Sequence, residues 1–288
     1  MRHLFALAML LPLSACLRAG EDEPRAVTFA YKAPAIGQTV RETSELDVRL
    51  KLKHSAGAQV IEESNDDFRM RQVKQETALE SDARGVTKLK VRYDSVEHKR
   101  AGEELDRPLV NGRAYVVTAR GGKVEFMGEE ARKLHPFELA FLEEDYAEFG
   151  TLDPFIAWFD GRKVKVGETL ELEGPLGRRL LNLGKDDPEK IEAFTLTLTG
   201  TRPQAGFEVG VFKTRLVMSK RQAQDGNDLR MATTFEGELT LGIANAWIVS
   251  CHLTGPAELS GKISEGGIKM NVAGSGRVRM DLDTRVNE

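Results

Sequence analysis

The chain has 288 residues, of which 41% are hydrophobic and 30% charged, and its formal net charge at pH 7 is −4. This composition is typical of a folded domain and excludes a disordered chain or a collagen-like repeat. The small acidic excess gives no indication of a nucleic-acid partner.

The N-terminal residues are typical of an export signal. Arg2 opens a short cationic stretch, and the apolar run at 4–13 is shorter than the ~20 residues that a membrane-spanning helix needs. Residues 13–16, Leu-Ser-Ala-Cys, then resemble a bacterial lipobox, in which the cysteine is acylated and becomes the first residue of the mature chain. An ordinary signal peptide followed by a chance cysteine is the alternative.

The lipobox resemblance implies that acyl chains on Cys16 anchor the protein to a membrane without a spanning helix. It also implies the outer membrane, because inner-membrane retention of such lipoproteins goes with an Asp at the next position, where this chain has Leu17. With Cys16 acylated, Cys251 is the one cysteine left, so no intrachain disulfide is expected. We therefore expect a lipid-anchored protein of the bacterial cell envelope.

Alternation of apolar and charged residues dominates the rest of the chain. It is clear at 46–52, 68–71 and 88–93, and it returns between residues 163 and 286. This period of two predicts antiparallel strands with one buried and one solvated face. The glycine pair at 121–122 predicts a two-residue hairpin turn.

The intervening segment has a helical pattern. Pro136 suits the first position of a helix that would end at Gly150, and Asp153 with Pro154 suits the start of a second, shorter helix through Phe159. Residues 174–189 show no clear period, which predicts a long loop.

These patterns predict a mainly β fold of antiparallel curved sheets, in half-barrel-like lobes, with a short α-helical insert around residues 129–159. The predicted organisation is a lipoprotein signal peptide (1–15), an acylated Cys and tether (16–26), an N-terminal β lobe (27–128), the helical insert (129–160) and a C-terminal β lobe (161–288).

Turns and strand starts follow a characteristic order. Tyr31 and Gly37 precede the first long strands, and the tetrapeptide at 91–94 (Val-Arg-Tyr-Asp) lies in a later strand. Glycine turns at 111–112 and 121–122, the Phe-rich helix and the segment 164–168 (Val-Lys-Val-Gly-Glu) come next. In this order the chain resembles an uncharacterised family of bacterial lipoproteins, a domain of unknown function. The resemblance covers most of the mature chain and brings no catalytic residues.

Motifs for catalysis and metal binding are absent from the sequence. Cys251 and His252 are adjacent in a predicted strand and therefore point to opposite faces, so they cannot form a nucleophile–base pair. The histidines lack the spacing of a metal motif, and we predict no catalytic residues, no metal and no cofactor. The acidic residues Glu143, Glu144, Asp145 and Glu148 are interpreted as a solvated helix face rather than a calcium site.

Curved sheets can enclose an apolar or lipid ligand, and a non-enzymatic envelope protein with such a β cup is our main hypothesis. The same inward residues make an ordinary core in the alternative interpretation. A scaffold or interaction subunit of an envelope complex is the second hypothesis. A hydrolase is the third, recognisable by His252 or His98 beside two carboxylates in a cleft. The candidate ligand-binding residues are Phe68, Leu89, Val91 and Tyr93 in the N-terminal lobe and Phe235, Leu239 and Trp247 in the C-terminal lobe.

Basic residues occupy the polar positions of consecutive predicted strands. If these strands are neighbours, the cations form a face that could contact anionic headgroups or an anionic envelope polymer. Compensation by acidic residues of the insert and of other strands is the alternative, which we favour because charge runs usually form solvated faces. The residues are Arg49, Lys51, Lys53, Arg69, Arg71, Lys88, Lys90 and Arg92.

Replacing Cys16 by Ala removes the predicted site of lipid attachment. In a bacterial host fed an alkyne-tagged fatty acid, we expect the wild-type chain to carry the tag and Cys16→Ala to lose it, because acylation requires the thiol. In-gel fluorescence after click labelling measures this. Cys251→Ala is the control and should be labelled like the wild type, whereas labelled Cys16→Ala would contradict the lipobox interpretation.

Overall fold

The computed structural model describes residues 25–82, 85–180, 189–224, 227–265 and 268–287. The predicted signal peptide, Cys16 and most of the predicted tether lie outside these residues. Within them, no helix is both long enough and apolar enough to cross a membrane.

Strands make up most of the described chain, and three short helices interrupt them. The strands are β1 (Ala26–Thr28), β2 (Thr39–Ala56), β3 (Gln59–Asp82), β4 (Gly85–Arg100), β5 (Ala114–Arg120), β6 (Lys123–Gly128), β7 (Lys163–Lys165), β8 (Thr169–Glu171), β9 (Glu189–Gln204), β10 (Phe207–Gln224), β11 (Asn227–Gly242), β12 (Ile248–Glu265) and β13 (Ile268–Asn287). The helices are α1 (Pro136–Asp145), α2 (Pro154–Phe159) and α3 (Gly174–Leu180).

Two antiparallel sheets result. β1 pairs with β7, and the other eleven strands form one large sheet in the order β6-β5-β4-β3-β2-β13-β12-β11-β10-β9-β8. The large sheet is curved, and β6 and β8 are its edges. The predicted fold class is therefore confirmed. The predicted hairpin is also present, because Arg120 pairs with Lys123 across the two glycines.

One strand pair joins the two halves of the chain. β2 pairs with β13 over a long register, from Thr39 opposite Asn287 to Ser55 opposite Asn271. The strands of the large sheet that precede α1 (β2 to β6) lie on the β2 side of this pair, and those that follow α2 (β8 to β13) lie on the β13 side. The two strand blocks of the sequence are therefore continuous in one sheet.

The helices cover one face of the large sheet, which we call the inner face. Leu142 and Tyr146 pack with apolar residues of β4 and β5, whereas Phe155 and Phe159 of α2 pack with those of β9 and β10. On a flat sheet β4 and β9 would be about 34 Å apart, at ~4.8 Å per strand. Curvature brings both ends of the sheet to the same helical insert, and each end has its own hydrophobic core.

The helix starts follow the sequence signals, and the helix lengths differ from prediction in two places. The Asp153 carboxylate accepts a hydrogen bond from the Phe155 backbone N–H at 2.8 Å, so α2 begins as predicted. α1 ends at Asp145, before the predicted end at Gly150. The predicted loop at 174–189 was wrong for its first part, where α3 forms because Leu176 is buried in the core.

Glycines on three adjacent strands allow the backbones of the large sheet to approach closely. Gly237, Gly255 and Gly276 lie on β11, β12 and β13, and a Cβ added at each would collide with a backbone carbonyl oxygen of a neighbouring strand. For Gly255 that oxygen belongs to Thr234. Glycine inside a strand commonly marks such close approaches and bends.

Gly255→Ala should destabilise the protein by at least about 2 kcal/mol, the range for overpacking a well-packed site. The added methyl group has no space beside the Thr234 carbonyl, so the strands must separate. Chemical denaturation measures the free energy of unfolding. Gly200→Ala is the control, because open space surrounds Gly200 and its change should stay within ~0.5 kcal/mol. Equal stability of the two variants would contradict this account of the glycines.

Candidate functional site

A cavity of about 600 Å³ lies on the inner face, and we call it the chamber. Its sheet side consists mainly of β2, β3 and β13, so strands from both halves of the chain contribute. Its opposite side consists of residues 144–153 and Ile156. The helical insert therefore closes a space that the curved sheet would otherwise leave open.

Apolar side chains form a continuous band on the sheet side. Met70, Leu46 and Met280 are in register on the neighbouring strands β3, β2 and β13, and all three line the chamber. Phe149 and Ile156 face them from the insert. Methionine side chains adapt to irregular apolar shapes, so this band suits a flexible hydrocarbon.

A charged cluster forms another part of the lining. The Lys74 Nζ lies 3.1 Å from Glu76 Oε1, 3.5 Å from Asp145 Oδ2 and 3.6 Å from Glu42 Oε1. Lys74 is 9% exposed. Two tyrosines complete the cluster, because the Tyr93 hydroxyl donates to Asp145 and the Tyr146 hydroxyl donates to Glu76, each at 2.6 Å. We call these six residues the Lys74 cluster.

Burial and mutual charge shift the ionisation of this cluster. Burial alone lowers the pKa of Lys74, but the carboxylates of Asp145, Glu42 and Glu76 outweigh it and hold that pKa well above its usual range. Burial raises the pKa of Glu42, with Lys74 opposing this effect and the carboxylates of Glu76 and Asp145 adding to it. Lys74 therefore stays charged, and three carboxylates share one cation.

A second buried carboxylate fixes the start of α1. Glu138 is fully buried and accepts hydrogen bonds from the Arg132 guanidinium and the Arg113 guanidinium at 2.7 Å and from the Tyr115 hydroxyl at 2.6 Å. It also accepts from the His135 backbone N–H at 2.8 Å. These donors, Arg132 first, hold the pKa of Glu138 well below its usual range. The insert is thus tied to the sheet at both ends of α1.

The candidate ligand-binding residues lie in four different places. Leu89 and Trp247 line the chamber. Val91 and Tyr93 lie in the core beneath α1, and Tyr93 also reaches the Lys74 cluster through its hydroxyl. Phe235 and Leu239 lie in the core beneath α2. Phe68 is half-buried on β3, opposite Val48.

The Lys74 cluster was not predicted from the sequence, and one of its residues, Asp145, lies on a different side of α1 from the one predicted. Asp145 was predicted on a solvated helix face, and that prediction was wrong, since its side chain is 14% exposed and faces the sheet. Asp145 is the last residue of α1, where the chain turns towards β3. Lys74 and Glu76 occupy inward positions of β3 after Met70, where the alternation would place apolar residues. These two charged residues at inward positions were the sequence signal for a buried polar cluster.

The predicted basic residues lie together on the outer face, since β2, β3 and β4 are neighbours. Acidic residues of the same strands and of the insert lie among them. Arg49 pairs with Asp47, Arg69 with Glu45, Lys88 with Glu80, Lys90 with Glu129, Arg92 with Asp94 and Lys53 with Glu63. Arg71 lies 3.4 Å from the Ser95 hydroxyl, and Lys51 is opposite Asn65. The outer face is therefore mixed in charge, and exposed pairs of this kind contribute little to stability.

One histidine lies beside two carboxylates, the arrangement that was set as the sign of a hydrolase. His252 Nδ1 is 2.9 Å from Asp281 Oδ1, and His252 Nε2 is 3.4 Å from Asp283 Oδ1. A general base needs one ring nitrogen free for the nucleophile or water. Nδ1 forms a hydrogen bond with Asp281, whereas Nε2 makes the longer contact with Asp283. His252 and Asp281 also line a second cavity of about 430 Å³, on the outer face. His98 lies 4.0 Å from Asp106.

Cys251 lines the chamber with a side chain that is 1% exposed. Burial, followed by the charge of Asp281, raises the pKa of Cys251 to about 12, so the thiol is protonated and a poor nucleophile at neutral pH. His252 is on the opposite side of the strand, as predicted. Among the described residues, no group of three or more His, Cys, Asp or Glu side chains is arranged to hold a metal ion.

Comparison with known proteins gives no family. No family model and no curated protein matches the chain. Among solved structures, lipovitellin, studied for its lipid–protein interactions, is 8% identical with a TM-score of 0.35, and the match covers 88% of this chain and 26% of that one. The chain thus spans about a quarter of lipovitellin.

Two further solved structures match the chain with lower TM-scores. An outer membrane channel from Pseudomonas putida F1 is 7% identical with a TM-score of 0.23, over 89% of this chain and 98% of the channel. A LolA superfamily protein from Nitrosomonas europaea is 8% identical with a TM-score of 0.13, over 85% and 86%. Similarity at this level says nothing about ligand or activity.

Lys74→Met should destabilise the protein by about 3 kcal/mol at pH 7, because removing one partner leaves buried like charges uncompensated. In the variant the pKa of Glu42, already raised by burial, should rise further in the folded state, because Lys74 opposes that rise in the wild type. Carboxyl groups with raised pKa values cost stability as the pH rises above their unfolded values, so the loss should be smaller at pH 5 than at pH 7.

Urea denaturation at both pH values measures this difference. Lys53→Met is the control, because Lys53 and its partner Glu63 are more than half exposed; its change should stay within ~0.5 kcal/mol at both pH values. A loss in Lys74→Met that does not depend on pH would contradict the shared-cation account of the cluster.

Proposed function

We propose that this chain is a lipid-anchored, non-enzymatic protein of the bacterial cell envelope, at the outer membrane, that holds an apolar or lipid ligand in the chamber. The chamber itself is the observation that supports this proposal most directly. Its volume of about 600 Å³ lies within the ~300–1,000 Å³ that is usual for small-molecule sites. Its lining combines the apolar band with a polar part that is mostly acidic, and convergent polar groups are also typical of such sites.

The position of the polar groups also favours binding over simple packing. A core that served stability alone would gain nothing from a buried lysine with three carboxylates, because apolar residues of similar volume are often as stabilising or more so. In this protein the cluster lies between the core beneath α1, which contains Tyr93 and Tyr146, and the cavity. Polar groups at the wall of an apolar site orient a ligand, which gives the Lys74 cluster a role.

A scaffold or interaction subunit remains the second candidate. It would use exposed apolar side chains, of which Phe137 at 75% exposure and Leu139 at 36% are close in sequence on α1. Such a protein would not need the chamber. A hydrolase has less support, because both ring nitrogens of His252 face carboxylates and Cys251 is a protonated thiol at neutral pH.

Filling the chamber separates the first two candidates. Ser44 lines the chamber on β2, so Ser44→Trp should occupy space that a ligand needs. We expect native mass spectrometry of wild-type protein purified from membranes to show a bound mass that is lost on denaturation, and we expect Ser44→Trp to lack it. Binding of the neutral dye N-phenyl-1-naphthylamine should fall at least tenfold in parallel.

The matched control is Ser275→Trp, the same change at an exposed position of β13. It should bind dye and the co-purified mass like the wild type, and circular dichroism should show folded protein for both variants. Absence of a bound mass together with absence of dye binding in the wild type would refute the ligand-binding proposal and favour the scaffold.

A further inference from the structure

From the Lys74 cluster, we infer that the chamber's ligand carries a positively charged, hydrogen-bond-donating head group on an apolar body, as an alkylammonium amphiphile does. This inference rests on the proposed function and specifies the ligand class of the same site. Three features of the chamber support it: the charge of the lining, the engagement of its hydrogen-bond donors within the Lys74 cluster, and the position of the apolar band relative to that cluster.

The lining is strongly acidic. Among the described residues that line the chamber, Lys74 is the one with a cationic side chain. Glu42, Glu76 and Asp145 surround its ammonium group, so the cluster has one positive and three negative formal charges. Further acidic residues of the lining lie between the last turn of α1 and the start of α2, at Glu144, Glu148 and Asp153. An anionic head group would enter a site of its own sign.

The strong donors of the cluster are already engaged. The ammonium of Lys74 has three protons, and three carboxylate oxygens lie 3.1–3.6 Å from it. The hydroxyl protons of Tyr93 and Tyr146 are directed at Asp145 and Glu76. A carboxylate or phosphate ligand would therefore need Lys74 to leave its present partners.

Hydrogen-bond acceptors, in contrast, outnumber hydrogen-bond donors in the Lys74 cluster. An ionised carboxylate offers about four lone-pair sites, so the three carboxylates retain capacity after the contacts with Lys74 and the tyrosines. Glu42 is a third exposed, and its Oε1 lies 3.6 Å from Lys74, farther than the other two carboxylates. An ammonium head group donates three hydrogen bonds and carries the charge that the cluster lacks. Glu42 is the side chain we expect to contact it first.

The apolar band lies where a hydrocarbon chain would extend from such a head group. On β2, Glu42, Ser44 and Leu46 are successive inward positions, so the lining changes from charged to apolar along one strand. Met280 continues the band on β13, opposite Leu46. One end of the chamber therefore suits a cationic group and the other suits hydrocarbon.

Three ligands with the same chain length test the inference on the full-length, delipidated protein. Isothermal titration calorimetry at pH 7, below the micelle concentrations, would compare dodecylamine, dodecanol and dodecanoate. We expect dodecylamine to bind at least tenfold more tightly than dodecanol, and dodecanoate to bind most weakly. Dodecanol binding as tightly as the amine, or tighter binding of dodecanoate, would overturn the inference while leaving the proposed function intact. Failure of all three ligands and of the neutral dye would refute both.

A single substitution tests the residue assignment. Glu42→Gln keeps the side-chain shape and removes one negative charge, so the preference for dodecylamine over dodecanol should fall about tenfold while dodecanol affinity is unchanged. Glu236→Gln is the matched control, because Glu236 is 63% exposed and pairs with Arg215 on the outer face. An unchanged amine preference in Glu42→Gln would overturn the assignment. The wild-type ligand series gives a result even if the variant does not fold.

Discussion

The pairing of β2 with β13 is the constraint on which the rest of the structure depends. It connects strands from the two ends of the described chain over seventeen residue pairs, from Thr39 to Ser55 on β2. Without it, the strands before the helices and those after them would be two separate sheets. With it, they form one sheet long enough to curve around the helical insert, and the chamber lies against this junction because Leu46 and Met280 face each other across it.

Closure of the chamber depends on charges that hold α1 at both ends. Glu138 is fully buried near the start of the helix, where two arginines and Tyr115 satisfy it. Asp145 ends the helix, and Lys74 and Tyr93 bind it from the sheet. The two sites differ in net charge. Glu138 pairs with two arginines, whereas three carboxylates surround the single ammonium group of Lys74. The first is an anchor, and the second places its three carboxylates and one ammonium group beside a cavity.

Particular residues show how far the sequence predicts the fold. Alternation at 46–52 and 88–93 fixed strand type and the buried face, and Asp153 with Pro154 fixed the start of α2 to the residue. α3 was missed because Leu176 becomes helical through burial against β9, a tertiary contact without a strong local signal. Of the seven candidate ligand-binding residues, Leu89 and Trp247 line the chamber, whereas Val91, Phe235 and Leu239 are in packed cores. Inward orientation alone does not distinguish a cavity wall from a core.

The sequence by itself determined which strand residues face inward, where α1 and α2 begin and that the sheets are antiparallel, because side-chain period and helix caps are local properties of the chain. The tertiary structure alone decided which of the inward residues contact one another. Pairing of β2 with β3 and docking of α1 bring Glu42 and Asp145 within 4 Å of Lys74. A side-chain period carries no information about strand register or about where a helix docks. Whether a polar residue at an inward position anchors a helix or belongs to a binding site therefore depends on which side chains contact it in the folded protein.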